Sequence, residues 1–398
     1  MSIRDDARAL QHDLVRLRRA IHAEPEIGLD LPRTQDKILA ALDGLPLEVR
    51  LGRKLSSVTA VLRGARPGPA VLLRGDMDAL PLTERTGVDF ASTVDGAMHA
   101  CGHDLHTAML AGAAHLLAGR RDDLAGDVVF MFQPGEEGCD GAAAMIAEGV
   151  LDAAGRRPHA AYALHVFTTG LRPGVVTARP GPIMASADGL DVRIVGAGGH
   201  GSMPHLARDP IPVACEIVTA LQTLATRRAD IFDPVVLTTG QFHAGTRRNI
   251  IPDTASFDVT FRAFSAATRQ RIRAAAVELI TSIAAGHGLT AEVDVVEGYP
   301  VTVNDAGETD FVAATVAEVL GEHRFALLPT PFAYAEDFSR ILAEMPGTFV
   351  ILGASPPGSD PDTVPNNHSA HVDFDDGLLA DGATLYAELA ARRLAAPS

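Results

Sequence analysis

Tryptophan is absent from this chain, and cysteine occurs three times, as Cys101, Cys139 and Cys215. An odd, scattered set of thiols argues against the disulfide framework of small secreted domains. Long apolar runs are missing as well: no stretch approaches the roughly 18 uncharged residues that a membrane span needs. The opening residues, MSIRDDARALQHDLVRLRRAIH, carry charges throughout. Ile3, Ala7, Leu10, Leu14, Leu17 and Ile21 recur there at helical spacing. They read as an amphipathic helix rather than a signal peptide, and a reducing cytoplasmic setting is expected. Basic charge is also short, with 34 Lys and Arg against 50 Asp and Glu and a formal net charge of −16. A surface of that sign repels phosphate backbones and anionic headgroups, which argues against nucleic-acid and membrane partners. Internal repeats and low-complexity tracts are lacking, apart from an Ala-rich bias that suits helices.

What is present is ample material for two cores, since 398 residues with 47% hydrophobic content exceed one ordinary domain. Short apolar runs end abruptly in polar residues: AVLLRGDMDALP from Ala70, DVVFMFQPGEE from Asp127, AYALHV from Ala161 and TFVILGAS from Thr348. Such runs suit strands buried on both faces, and LHTAMLAGAAHLLAG and AAAMIAEGV suit helices that cover them. The fold class read from this pattern is α/β. Ligands in such sheets bind beyond the carboxyl ends of the strands, where Asp76, Asp78, Glu136, Glu137 and His165 fall.

Between residues 184 and 298 the pattern changes. Strand (Leu190 to Val195), helix (Pro212 to Thr226), two strands (Val235 to Phe242, Ala255 to Phe264), helix (Thr268 to Ala285) and strand (Thr290 to Val296) follow in order. This β-α-β-β-α-β succession is the split, ferredoxin-like unit, a compact domain of its own. It reads as an insertion into a discontinuous first domain made of residues 1–183 and 299–398.

The densest cluster of reactive side chains is MHACGHDLH, residues 98–106. Cys101 and His103 lie two apart, so on a loop their side chains share a side, whereas on a helix they diverge by about 200°. A thiolate beside an imidazole suits zinc, cobalt, nickel or manganese, although alone it reads more readily as a buried thiol next to a surface histidine. Glu136 and Glu137 follow a strand and the helix-averse QPG. Adjacent carboxylates on a turn point apart, so one can bind metal while the other faces a water. Taken singly, they are acidic residues ahead of a helix, His165 is a core histidine, and His368 lies in an exposed loop. Together, one thiolate, three imidazoles and one carboxylate exceed what a single tetrahedral zinc needs, and a pair of divalent ions is the more natural count. Asp76 and Asp78 are then candidates to hold a ligand histidine in its tautomer.

The segments RGDMDALP, MHACGHDLHTAML, QPGEEG, GAGGHGSMPHLARDPI, NIIPDTA and AEDFS, in this order, resemble the amidohydrolase branch of the aminoacylase and carboxypeptidase-G type metallopeptidases. That branch includes hippurate hydrolases, N-acyl-amino-acid amidohydrolases and indoleacetyl-amino-acid hydrolases. The resemblance runs from about residue 18 to about residue 376. It implies a mixed-sheet catalytic domain in which Cys101, His103, Glu137, His165 and His368 bind two metal ions (Zn, Mn, Co or Ni). Glu136 would be the general base and Asp78 an orienting residue. It also implies that the insertion is a lid and dimerisation domain in a homodimer, with His200 reaching the partner subunit's active site to steady the oxyanion. Asn249 and Arg262 would hold the substrate. Against the usual pattern, Gly135 replaces a common alanine, Leu105 a frequent glycine, and Ala370 with His371 a usual proline. His371 and His106 are therefore rival donors to His368 and His103.

The activity implied is metal-dependent hydrolysis of the amide bond of an N-acyl amino acid. Alternatives with the same chemistry are deacylation of biosynthetic acetyl or succinyl amino acids and hydrolysis of N-carbamoyl amino acids. A rival from another class rests on GAGGHG, whose Gly196, Gly198 and Gly201 match the G-x-G-x-x-G of NAD-dependent oxidoreductases. The prolines of SMPHLARDPIP delay the next helix, so its N-terminus would not meet a pyrophosphate.

Overall fold

The computed structural model describes residues 2–396. The chain divides into two compact units. The first holds the residues up to Ile183, Val303–Thr330 and the residues from Asp337 on; the second is Met184–Thr302 with Pro331–Glu336.

The first unit is built on an eight-stranded mixed sheet. Its centre is four parallel strands in the order Ala125–Gln133, Arg66–Asp76, Ala160–Phe167 and Gly347–Gly353. Ala160–Phe167 and Gly347–Gly353 are buried along their whole lengths, as strands covered on both faces must be. Antiparallel strands Val58–Arg63 and Leu47–Leu51 extend one side, and Val176–Ala178 with Phe325–Leu327 the other. The helices Ile3–His22, His103–Ala118 and Leu379–Ala395 pack on one another and supply much of the main core. The first of these opens with a capping box between Ser2 and Asp5, which satisfies two otherwise orphaned amide donors. Ile3, Ala7, Leu14 and Ile21 are buried, and Leu10 and Leu17 pack against the core from partly buried positions. Each such leucine or isoleucine contributes about 1.5–3 kcal/mol when fully buried. Because the four central strands are parallel, their carboxyl ends share one edge, which brings Asp76, Gln133 and Phe167 to the same side.

The second unit follows the β-α-β-β-α-β succession. Its antiparallel sheet has the order Val235–Ala244, Thr254–Ala263, Asp188–Val195, Thr290–Glu297, and the helices Pro210–Arg228 and Ala266–Gly286 pack on it. Ala255, Phe257, Val259, Phe261 and Ala263 alternate inward to form a separate core. The unit reaches four residues beyond the expected 298 and takes in Pro331–Glu336. The cause is backbone pairing: Ala185 N donates to Phe332 O at 3.1 Å, and Met184 bridges Phe332 in parallel.

Among the described residues no helix is long and apolar enough to cross a membrane. Gly201 is followed by a short 3-10 turn, Pro204–Leu206, and the next α-helix starts only at Pro210. No helix N-terminus therefore stands directly behind GAGGHG, and the dinucleotide reading loses its anion-binding element.

Candidate metal centre

Five expected donors of the first unit meet at the strand ends. The Cys101 thiol, His103 and His165 present ligand atoms within 4.8 Å of one another, as do Cys101, Glu137 and His368, and also His103, Glu136 and Glu137. Cys101 Sγ lies 3.4 Å from His165 Nε2, His368 Nε2 lies 3.2 Å from Glu137 Oε1, and His103 Nε2 lies 4.0 Å from that oxygen. Four ligands around a tetrahedral ion at about 2.0–2.3 Å stand roughly 3.3–3.8 Å apart, so these spacings are those of a coordination shell. His103 Nε2 and Glu137 Oε1 are buried without a hydrogen-bond partner, a cost that a bound cation would remove. The donor set and its orphaned atoms thus fit divalent ions.

Each donor is aimed by main chain or by a buried neighbour. His103 is the first residue of its helix, and Gly102, at φ 85°, turns the chain so that Cys101 stays on the preceding loop. A Cβ at Gly102 would meet Val166 Cγ2 at 2.2 Å, so no larger residue fits between the two histidine-bearing segments. His103 Nδ1 donates to the main-chain oxygen of Asp78 at 2.9 Å, and His165 Nδ1 to that of Val166 at 2.9 Å. Both rings consequently direct an Nε2 lone pair toward the cluster. His368 adopts φ 69°, an uncommon conformation for a side-chain-bearing residue. It is held by His368 N donating to Ala100 O at 2.8 Å, and by the adjacent Asn367 amide donating to Val166 O at 2.9 Å.

Asp78 serves the turn as well as the histidine. Its carboxylate accepts from Glu136 N and Glu137 N, both at 3.0 Å, and so clamps the turn that bears the two glutamates. The histidine is oriented chiefly by the Asp78 carbonyl, with Oδ1 farther away at 3.4 Å. His106 Nδ1 donates to Asp76 Oδ1 at 2.6 Å and Nε2 accepts from Val166 N at 2.8 Å, so both ring nitrogens are engaged, although His106 also forms a donor group with Asp76 and His103. Its ring packs edge-on against His165 at 4.6 Å between centroids. His371 is exposed, donates Nδ1 to Arg85 O at 2.9 Å and joins none of the donor groups among the described residues.

Charge accounts for the protonation preferences of the ion-free cluster. Burial raises the Cys101 thiol, with the Glu137 carboxylate adding to it. Burial alone would lower His103, but the Asp76 carboxylate and the Cys101 sulfur beside it prevail and hold it well above the usual imidazole range. His165 is lowered by burial and by its neighbour His106, which together outweigh the opposing Asp76 carboxylate.

Behind the donors lie two buried ionic networks, of whose members only Asp76 carries a role expected from the sequence. Arg74 bonds to Asp76, to Gln133 at 2.9 Å and to Asp337 at 2.9 Å. Asp104, next to His103, accepts from Arg18 Nε at 2.7 Å and His22 Nδ1 at 2.8 Å, while His22 Nε2 faces Glu84 at 3.2 Å. Arg18 and His22 come from RRAIH, where a charge pair on the otherwise apolar helix face was the available signal.

In the second unit, His200 and Asn249 lie beside one another. Gly199–His200 pairs with Ile250–Ile251, and Gly201 N donates to Asn249 O at 2.9 Å. Both residues are exposed. Arg262 is half-buried on the strand Thr254–Ala263 and has no ion-pair partner among the described residues, its one hydrogen bond being a long 3.5 Å contact to Phe261 O. Burial lowers it from the usual guanidinium value, because the opposing Asp188 is itself gripped by Arg269 at 2.6 and 2.7 Å.

The sequence matches the family described as "Peptidase family M20/M25/M40" over residues 72–392. This chain belongs to that family. It is a hydrolase of the M20 amidohydrolase and peptidase type. It is 36% identical over 394 residues to "Thermostable carboxypeptidase 1" of Saccharolobus solfataricus, covering 98% of each chain. It is likewise 36% identical to "IAA-amino acid hydrolase ILR1-like 4" of Arabidopsis thaliana, covering 96% of this chain and 86% of the relative. Among solved structures it resembles the Bacillus subtilis YXEP protein, described as a dinuclear metal-binding peptidase of the M20 family. That match has a TM-score of 0.83 at 32% identity and covers 98% of this chain and 99% of the other. The M20 assignment also accounts for the mixed α/β sheet and displaces the oxidoreductase alternative.

Proposed function

We propose that this M20 hydrolase cleaves the amide bond of N-acyl amino acids, hippurate-like or other acyl conjugates, to a carboxylic acid and a free amino acid. The observation that carries this reading is the convergence of Cys101, His103, Glu137, His165 and His368 with a second carboxylate, Glu136, beside them. A purely structural metal site has no use for that second carboxylate. The five donors would hold two divalent ions, whose chemistry when bound is to lower the pKa of a water to about 7 and to polarise a carbonyl.

Glu136 takes the proton from the attacking water and returns it to the leaving amine nitrogen. The Asp78 clamp on the amides of Glu136 and Glu137 supports this by fixing the turn that separates base from ligand. In the insertion, read as a lid and dimerisation domain of a homodimer, His200 donates to the oxyanion from the partner subunit. Asn249 and Arg262 bind the substrate, and the unpaired guanidinium of Arg262 suits the free carboxylate of an amino acid. The indoleacetyl-amino-acid hydrolase name borne by one relative is in keeping with an acyl-conjugate substrate.

The test is free amine release from N-acetyl, N-benzoyl, N-phenylacetyl and N-indoleacetyl amino acids, with chelated enzyme and with enzyme resupplied with Zn, Mn, Co or Ni. Activity should vanish on chelation and return with metal. No turnover of any member by metal-loaded protein would overturn the substrate class.

A further inference from the structure

The turn that carries His200 holds its imidazole in a specific way. Met203 N donates to His200 O at 2.8 Å and closes a four-residue turn, His200 to Met203. Within it, Ser202 N donates to His200 Nδ1 at 3.2 Å, and Ser202 Oγ stands 2.7 Å from the same nitrogen. A backbone amide can only donate, so Nδ1 presents its lone pair, and the Ser202 hydroxyl hydrogen then points to it as well. The neutral ring therefore carries its hydrogen on Nε2, which has no protein partner among the described residues. Gly201 permits this arrangement by letting the turn lie against the paired strand: a Cβ there would meet the Asn249 backbone at 3.2 Å.

We propose that Ser202 is a positioning residue, which fixes the ring orientation and the Nε2–H tautomer of His200 so that Nε2 donates to the developing oxyanion. This rests on the reading of His200 as the oxyanion donor. The opposite tautomer would present a lone pair to a negatively charged oxygen and repel it, and a ring free to rotate would lose alignment. The serine side chain need not touch substrate. Its effect falls on the transition state, where His200 acts, and not on ground-state binding.

The test combines kinetics of the metal-loaded wild type, S202A, S202T, H200A and H200A/S202A on the fastest substrate of the panel above with imidazole 15N spectra of the zinc-loaded protein. The spectra are taken at pH 8 without substrate. S202A should lower kcat about 10-fold, the equivalent of one lost orienting hydrogen bond, with KM within about 2-fold of wild type. S202T should recover most of the rate, and S202A should cost nothing further in the H200A background. The wild-type spectrum should show His200 with hydrogen on Nε2 alone, and S202A, left with only the longer 3.2 Å backbone contact, a measurable share of the other tautomer. Wild-type kcat in S202A together with a collapse in H200A would overturn the proposal while leaving the oxyanion reading intact. If H200A keeps the wild-type rate, the oxyanion reading fails and the proposal with it, whatever the spectra show of the turn.

Discussion

The two units carry most of their candidate site residues differently, the exceptions being His368, exposed in the first, and Arg262, half-buried in the second. In the first, Cys101, His103 and His165 are buried, and the networks of Arg74, Asp76 and His106 and of Arg18, Asp104 and His22 lie behind them. In the second, His200 stands exposed at the end of a two-residue strand, and Asn249, also exposed, directly precedes the strand paired with it. A donor set that must present several lone pairs at fixed separations needs a rigid, water-excluding surround, and buried ion pairs supply it at the cost of desolvation. Residues that contact a substrate only after it binds need no such enclosure. The difference teaches that rigidity in this protein is concentrated where charge must be pre-arranged.

The comparison breaks most visibly at Glu136. Replacing it with Gln should lower kcat by about 10²–10⁴ while metal content, measured by elemental analysis of the purified protein, stays at the wild-type level. A variant with comparable turnover would remove Glu136 from the role of base. Next in size is the buried pair: Asp104→Asn removes the buried charge that Arg18 and His22 share, leaving Arg18 only Asp376, and should destabilise the first unit by about 3 kcal/mol in urea unfolding. By contrast Arg193→Ala breaks an exposed pair with Glu292 in the second unit and should cost no more than about 1 kcal/mol. His106→Phe takes the partner from Asp76 Oδ1 and from the Val166 amide, leaving Asp76 held by Arg74 alone, and should weaken metal binding about 10- to 100-fold in competition with a chromophoric chelator.

A pH titration sharpens the contrast further. Burial would lower His22, but the Asp104 carboxylate outweighs it and raises the group from 6.5 to about 9. Its folded value thus exceeds its unfolded one, so its contribution to stability is complete below 6.5 and is lost as pH rises through about 9. Glu84 shifts the other way. Burial would raise it, but its bonds from His22 and Thr86 lower it to about 2, so its contribution is present above 4.5 and is lost as pH falls through about 2. The melting temperature of the wild type should therefore decline between pH 7 and 10, with a shallower decline in His22→Gln. An equal slope in both proteins would refute the assignment. The smallest expected effect lies on the open face of the second unit. There Asp258, Asp191 and Asp294 sit in register on three adjacent strands. Relieving that like-charge row with Asp191→Asn should raise stability by about 0.2–1 kcal/mol at low salt, and by less at high salt.

Much of this was legible before any coordinates. Continuous apolar runs ending in polar residues mark the central strands because a strand covered on both faces leaves no alternation to read. The β-α-β-β-α-β succession of the second unit follows from local periodicity. The less legible parts are those that depend on a partner far away in the chain. Asp78 reads as a histidine orienter, yet its carboxylate holds the turn at Glu136, 58 residues on, because that turn offers two amides side by side. Arg18 stands out only as a charge on an apolar helix face, since its partners Asp104 and Asp376 lie 86 and 358 residues later. The return of Pro331–Glu336 to the second unit has the same origin in backbone pairing without a residue-type signature.

What the sequence determined by itself is the set of elements and the stock of donor atoms: where strands end, where helices begin, and which thiol, imidazoles and carboxylates lie near those ends. Tertiary structure decided which of these atoms are available. His106 and His103 are three residues apart in one helix, and only the contacts with Asp76, the Val166 amide and the Asp78 carbonyl make one a buried strut and the other a ring with its lone pair turned to the cluster. The physical reason is that a histidine's role depends on which ring nitrogen is already bonded, and that bond comes from groups the fold brings in from other strands.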